Sequence, residues 1–150
     1  MTNKINLGCG YRKKEGYLNI DINPACNPDL VADALDLPLE NKSTNEVFSK
    51  HFLEHFTISE ADQLFKEINR VMVPYGRLEF IVDIGKSEKH LFSKDPTHKH
   101  HYSPEEMREL CQKNGFIVDE LSWITYRSKR TLKLIKHKKY KIRLIARKPK

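Results

Sequence analysis

The sequence predicts an α/β fold, an open and mostly parallel sheet in which loops replace the early crossover helices. Three observations carry this. Strand-like runs alternate with helical ones, the rhythm of a parallel sheet. The two clearly signalled helices both fall in the second half of the chain. The stretch INLGCGYRKKEGYLNID, Ile5 to Asp21, holds two strands with only eight residues, Cys9 to Gly16, between them. A helical crossover wants about a dozen residues or more. An extended loop of that length still spans about 26 Å, enough to return along a short strand.

The elements follow in order. Lys4 to Leu7, Tyr17 to Ile22, Leu30 to Ala32, Glu46 to Ser49, Arg77 to Val82, Ile117 to Trp123 and Tyr140 to Ala146 read as strands. The connection Asn23 to Asp29 is again too short for a helix. HFLEHF, His51 to Phe56, adds one helical turn. The first full helix is expected to open at Ser59, whose hydroxyl caps it with Asp62 three residues on. Its apolar stripe is Ala61, Leu64, Phe65, Ile68, Val71 and Met72, at helical spacing. Pro74 and Gly76 turn the chain into the next strand. The second helix opens at SPEE, with Ser103 as cap, Pro104 at the first helical position and Glu106 closing a capping box. Asn114 and Gly115 end it.

Alternation within the strands predicts one lightly covered face. Ile5 and Leu7 alternate with Lys4 and Asn6, Leu18, Ile20 and Ile22 with Asn19 and Asp21, and Ile142 and Leu144 with Arg143. A parallel strand covered on both sides would be apolar almost throughout. Val31, Val47, Ile81 and Ile145 are placed on that thin face, and a second copy covering them is the expectation, hence a homodimer.

Length and composition predict a single domain over residues 1–150, the basic segment 121–150 included. No run of about eighteen apolar residues exists, so no membrane span is predicted, and a cytoplasmic location is the default. Cys9, Cys26 and Cys111 are odd in number and unpatterned, which predicts free thiols. Residues 121–150 hold twelve Lys or Arg and no acid, a charge of +12. The other 120 residues hold fifteen basic and twenty acidic groups, a charge of −5. Such a segment, interleaved with Tyr126 and Tyr140, either grips a polyanion such as nucleic acid or serves as a solvated hairpin whose charges protect a sheet edge.

The glycine turn leaving the first strand carries chemistry. Gly8 and Gly10 let a ligand approach the backbone, and Asp21 at the end of the next strand can accept hydrogen bonds from both ribose hydroxyls. Together, INLGCG, YLNIDI, VADALDLPLENKSTNEVFSKHFLEHF and EINRVMVPYGRLEFIV strongly resemble class I S-adenosylmethionine-dependent methyltransferases, above all the small members that begin directly at the glycine motif. The resemblance runs from about Lys4 to Phe116 and implies a reduced Rossmann-like methyltransferase sheet, mostly parallel with an antiparallel C-terminal strand.

It also implies roles. Gly8, Cys9 and Gly10 match the loop that cradles the methionine and ribose part of S-adenosylmethionine, with S-adenosylhomocysteine as product. Asp21 matches the ribose-binding acid, Ile22 packs against adenine, and Asp33 and Ala34 match the pair beside it. His51, closing the fourth strand, faces the reaction centre in such folds. The chain departs from the pattern at Asn6, where many members carry an acid, and at Arg12, where a third glycine is absent. Without a helix after the first strand, loop amides with Arg12 or a nearby Lys are expected to hold the cofactor carboxylate, and modest cofactor affinity follows.

DPTHKHHYS, Asp95 to Ser103, lies where such enzymes build the acceptor pocket. An oxygen acceptor wants a general base, and histidine suits neutral pH. His51 and His98 are the preferred catalytic pair. The spacing of His98, His100 and His101 predicts no metal site. The function implied is methyl transfer to a small-molecule or saccharide acceptor. The alternatives are a non-catalytic nucleic-acid-binding protein using the basic segment, and a degenerate methyltransferase subunit that works through a partner, since Ser49, Lys50 and His51 replace the acid or amide of some subfamilies.

Overall fold

The structure is a computed structural model that describes residues 4–83, 95–125 and 139–150. Seven strands among these residues form one sheet: β1 (Lys4–Leu7), β2 (Leu18–Asp21), β3 (Leu30–Val31), β4 (Thr44–Lys50), β5 (Met72–Asp83), β6 (Ile117–Thr125) and β7 (Lys139–Arg147). Their spatial order is β3-β2-β1-β4-β5-β7-β6. The first five pair in parallel, and β7 enters antiparallel between β5 and β6. The mostly parallel sheet with an antiparallel C-terminal strand is thus present, and each expected strand exists with ends shifted by a few residues.

Two helices, α1 (Ile58–Val71) and α2 (Pro104–Lys113), cover the same face of this sheet. Ala61, Leu64, Phe65, Ile68 and Val71 of α1 are wholly buried, and Phe65 stacks on Phe80 of β5 with ring centres 5.4 Å apart. Register fixes which strand residues share that face. Ile5, Val47, Leu78 and Ala146 lie side by side across β1, β4, β5 and β7, as do Leu7, Ser49, Phe80 and Leu144. Val47 is therefore in the helix-covered core, with no exposed area, rather than on the thin face where alternation placed it. A period of two gives parity but not its sign; the neighbours' register decides that.

The opposite face is tiled with charge instead of helices. Glu46 accepts from Tyr17 at 2.6 Å and pairs with Lys4 at 3.2 Å and Arg77 at 3.1 Å. Arg77 also meets Glu79 at 2.8 Å, and Glu79 meets Arg143 at 2.8 Å. Burial, then the neighbouring Glu46, pushes the Tyr17 hydroxyl up to about 12. Arg147 pairs with Asp119, and Lys148 donates to the carbonyls of Asn69 and Met72. Part of the basic segment thus answers acids and carbonyls of the rest of the domain. Ile81 and Ile145 do face this side and are half-buried, and Val31 is 53% exposed at the sheet edge. Residues 126–138, which hold much of the basic charge and Tyr126, lie outside the described residues.

The short first crossover is held by a polar hub. Asn19, only 4% exposed, accepts from Asn6 Nδ2 at 2.8 Å and from the Lys14 amide at 2.7 Å. Its own amide group donates to Asp29 at 2.7 Å and to the carbonyls of Tyr17 and Lys14. Asp29 also takes the Asn19 backbone N–H and the Lys13 ammonium. The loop is stitched to the sheet by hydrogen bonds where a helix would have packed on it.

The cap of α1 differs from expectation. Thr57, not Ser59, accepts from the amide of Glu60, and the Glu60 carboxylate accepts from the Thr57 amide at 2.7 Å. Glutamate reaches back across the turn where Asp62 is too short. Asp62 instead joins α1 to α2 through Asn114 and Lys113. The capping box at Ser103 and Glu106 forms as read, and Gly115 takes the left-handed conformation just past α2. The turn in HFLEHF is a single 3₁₀ turn, Leu53–His55. The three cysteines are free thiols.

Candidate functional site

The carboxyl ends of β1, β2 and β4 meet at a crevice of roughly 450 Å³. It gathers Gly8, Gly10, Asp21, Ile22, Asp33, Ala34 and His51 from the sequence expectations, and adds Phe52, His55 and Phe56. Gly8 and Gly10 both have positive φ, +62° and +49°. A Cβ at Gly8 would lie 2.0 Å from the Phe52 ring, so that glycine is where the aromatic turn closes onto β1. A Cβ at Gly10 would meet nothing within 4 Å and would project into open space.

Asp21 joins the turn to β2. Its Oδ2 accepts from the Gly10 amide at 2.8 Å and its Oδ1 from the Asn23 amide at 2.9 Å. A carboxylate offers about four acceptor positions, so each oxygen keeps capacity for a ligand hydroxyl. Ile22 beside it is 65% exposed, an apolar surface open toward the crevice. Asp33 Oδ1 accepts from the Leu35 amide, and Ala34 is buried at the crevice floor.

Cys9 is placed differently. It lines the adjoining depression rather than this crevice, is 5% exposed, and its amide donates to the Ile20 carbonyl. Burial, then the charge of Asp21, pushes its thiol up, so it is a packed group rather than a nucleophile. The amides of Cys9, Gly10, Arg12 and Lys14 all donate within the protein. With these four committed, an anion at the turn would rely on the remaining loop amides and on nearby cations. Arg12, Lys50 and Lys141 border a second depression of roughly 490 Å³ on the other side of Gly8 and Gly10.

His51 stands between the two depressions, at a left-handed φ of 55° that non-glycine residues seldom adopt. Its Nε2 lies 2.7 Å from Lys141 Nζ and its Nδ1 lies 3.4 Å from Glu54 Oε1. An ammonium can only donate, so Nε2 is the acceptor and the ring proton sits on Nδ1, toward Glu54. Glu54 is wholly buried, and its Oε2 has no hydrogen-bond partner among the described residues.

His98 does not line the crevice. Its ring, 9% exposed, packs edge-on against His55 with centres 4.9 Å apart. His55, open with Glu54 to a place in the pocket on sequence grounds but not chosen as a base, stands nearer the crevice than His98. It borders the crevice, and its Nδ1 lies 2.9 Å from Thr97 Oγ1. Around it the 95–103 loop is tied down: Lys99 and His100 amides donate to the Glu54 carbonyl, and Tyr102 donates to that of Phe56 at 2.7 Å. Lys99 and His100 themselves pair with Glu60 and Glu106. The HFLEHF turn and the DPTHKHHYS loop were legible separately; only the fold shows them as one wall.

Comparison with known proteins adds to this picture. A family model described as a methyltransferase domain matches residues 7–80, which include every crevice residue named above. Among solved structures, a SAM-dependent methyltransferase of Methanosarcina mazei superposes with a TM-score of 0.77 at 18% identity, covering 97% of this chain and 92% of that one. One from Archaeoglobus fulgidus gives 0.77 at 20% identity, covering 97% and 85%. The methyltransferase complexed with the activator Trm112 in Haloferax volcanii gives 0.75 at 18% identity, covering 98% and 82%. No curated protein matches the chain.

Proposed function

Starting from a chain that is a class I S-adenosylmethionine-dependent methyltransferase, we propose that it methylates a small-molecule or saccharide acceptor by in-line displacement. The observation that carries the cofactor half is the Gly10–Asp21 unit facing a crevice lined by Ile22, Asp33 and Ala34. These residues fit the cofactor: a carboxylate for ribose hydroxyls, an exposed apolar residue for an adenine face, and a glycine whose missing side chain leaves room. When bound, the cofactor supplies an electrophilic methyl carbon on a sulfonium.

The chain's own residues then bind, orient and exclude water. Asp21 holds the sugar, Asp33 accepts from the base amine, and Arg12 with Lys50 takes the amino-acid carboxylate. Phe52 and Phe56, ring centres 4.8 Å apart, close one wall against solvent. Positioning supplies most of the acceleration for a displacement of this kind. His51 is the acceptor-facing group, able to hold a proton once Lys141 yields its nitrogen. His98 acts on the crevice only through the ring of His55.

A saccharide or small molecule is favoured because both depressions are of small-ligand size, within the few hundred Å³ usual for such sites. The polar open face also keeps the homodimer expectation, resting on half-buried Ile81 and Ile145. A particle of twice 17.6 kDa by light scattering supports it, and one of that mass alone removes it.

Calorimetric titration with S-adenosylhomocysteine, followed by an acceptor screen divided between sugars and RNA, tests the reading. Uptake in the micromolar range with turnover on a sugar supports it. No uptake at saturating ligand overturns it, and steeply salt-dependent RNA binding without uptake favours the nucleic-acid alternative.

A further inference from the structure

One ligating atom each from His55, Asp95 and His98 lies within 4.8 Å of the others. We propose that these three residues form a binding site for a first-row transition cation of the zinc class, at the mouth of the cofactor crevice.

The donor set selects the ion. Two imidazoles and one carboxylate suit zinc, cobalt or iron, whereas magnesium and calcium prefer oxygen alone. Three protein donors leave coordination positions open, the arrangement of reactive rather than purely structural centres.

The surroundings orient the donors. Asp95 Oδ1 accepts from the Thr97 amide at 2.9 Å and from the Thr97 hydroxyl at 2.6 Å. That hydroxyl proton is therefore committed to the carboxylate, and Thr97 Oγ1 accepts from His55 Nδ1 at 2.9 Å. The Thr97 carbonyl lies 3.3 Å from the same nitrogen. His55 is thereby set as the tautomer whose Nε2 carries the lone pair, the outer-sphere support that metal-binding histidines usually have.

An independent observation concerns His98. Its ring is nine-tenths buried, its Nε2 lies 3.8 Å from Asp95 Oδ2, and its Nδ1 is buried with no hydrogen-bond partner among the described residues. A buried imidazole whose nitrogen capacity no described residue uses is costly without a ligand. The chain just past His98 is tied to α1 by the Lys99–Glu60 pair.

Because His55 borders the crevice, the open positions face the region where the acceptor would sit. This role rests on the methyltransferase reading; cation binding does not. The acceptor class that fits is an oxygen nucleophile with a second oxygen beside it, such as a vicinal diol or hydroxy acid, able to chelate. Coordination lowers the hydroxyl's pKa, and its proton leaves to solvent. The oxygen then bonds to the methyl carbon as the carbon–sulfur bond breaks, its electron pair remaining on sulfur.

The test uses the full-length, untagged chain stripped with chelator and titrated with Co²⁺, followed by its visible d–d absorption. Zn²⁺ is then added in competition. One saturable equivalent displaced by Zn²⁺ is expected. His55→Ala and His98→Ala, and the exposed-site variant Asp95→Asn, are each expected to weaken binding by about tenfold or more. His100→Ala is expected to bind as the parent chain does. A parent chain with no saturable Co²⁺ signal, unchanged binding in Asp95→Asn, or loss that follows His100 overturns the proposal. S-adenosylhomocysteine titrations on the same samples separate the two readings: uptake without Co²⁺ binding sinks the cation site alone, and Co²⁺ binding without uptake sinks only its role in methylation.

Discussion

The Gly10 amide donates to Asp21 Oδ2 at 2.8 Å, so the turn after β1 and the acid ending β2 behave as one rigid unit. Asp21→Asn keeps the shape and an oxygen for Gly10 but removes the charge that strengthens bonds to ligand hydroxyls. Hydrogen bonds to charged groups contribute about 1.5–3 kcal/mol, so S-adenosylhomocysteine affinity should fall about 10- to 100-fold. Calorimetry measures this, and an unchanged melting temperature shows that the fold is intact. Equal affinity in both proteins would dissociate Asp21 from the sugar.

The two glycines of the turn should respond oppositely to alanine. At Gly8 the new methyl would lie 2.0 Å from Phe52 Cδ2 on a backbone at φ +62°, so the aromatic turn must move. Overpacking together with left-handed strain predicts a loss of about 2–4 kcal/mol. At Gly10 the methyl meets nothing, and strain alone costs about 1 kcal/mol. Gly10→Ala should therefore fold, while losing about tenfold or more in cofactor affinity because the backbone no longer admits close approach. Urea denaturation and calorimetry on the pair check both halves.

How far such features are visible in sequence depends on their reach along the chain. The cap at Ser103, Pro104 and Glu106 is local chemistry and formed as read. At α1 two hydroxyl residues compete two positions apart, and only the longer reach of Glu60 selects Thr57. Gly8, Gly10, Asp21 and Asp33 were legible because a turn and strand ends carry them to one edge. Val47 was misfaced because alternation gives no sign. The His55–Thr97 contact joins residues 42 apart and leaves no trace in either segment. Asn19 reads as an outward polar residue, yet it is the centre of the loop that replaces a helix.

That centre makes a prediction. Asn19→Ala leaves the buried Asn6 and the Lys14 amide short of a partner, while exposed Asp29 keeps the backbone N–H of residue 19. Each buried polar group left unmet costs about 1–3 kcal/mol, and water entering the gap recovers part of this, so a net loss of about 2–4 kcal/mol is expected. Asn6→Ala, which removes one bond of the network, should cost less. Chemical denaturation of the two variants ranks them, and the reverse order would contradict Asn19 as the hub.

Acid should act on the same loop. Lys13, then the backbone and side-chain amides of Asn19, hold the Asp29 carboxyl at about 2, below its ordinary 3.8. A carboxyl depressed on folding binds its proton less readily in the native state, so it adds stability above its ordinary value and loses that contribution as pH falls through the folded one. The window for Asp29 is thus from about pH 4 down to about pH 2. Its side chain is 37% exposed, and solvent screening keeps the contribution of the pair to about 1 kcal/mol or less. Urea midpoints measured from neutral pH downward should stay level for this group until about pH 4 and then decline. In Asp29→Asn that part of the slope should vanish, while stability at neutral pH is slightly lower than in the parent. Because Glu60 is also held at about 2, by Lys99 first and then Thr57, the parent and variant curves should stay parallel in everything except the increment assigned to Asp29. Curves that superpose from neutral pH to the acid limit would show that the Lys13–Asp29–Asn19 contacts do not anchor the crossover.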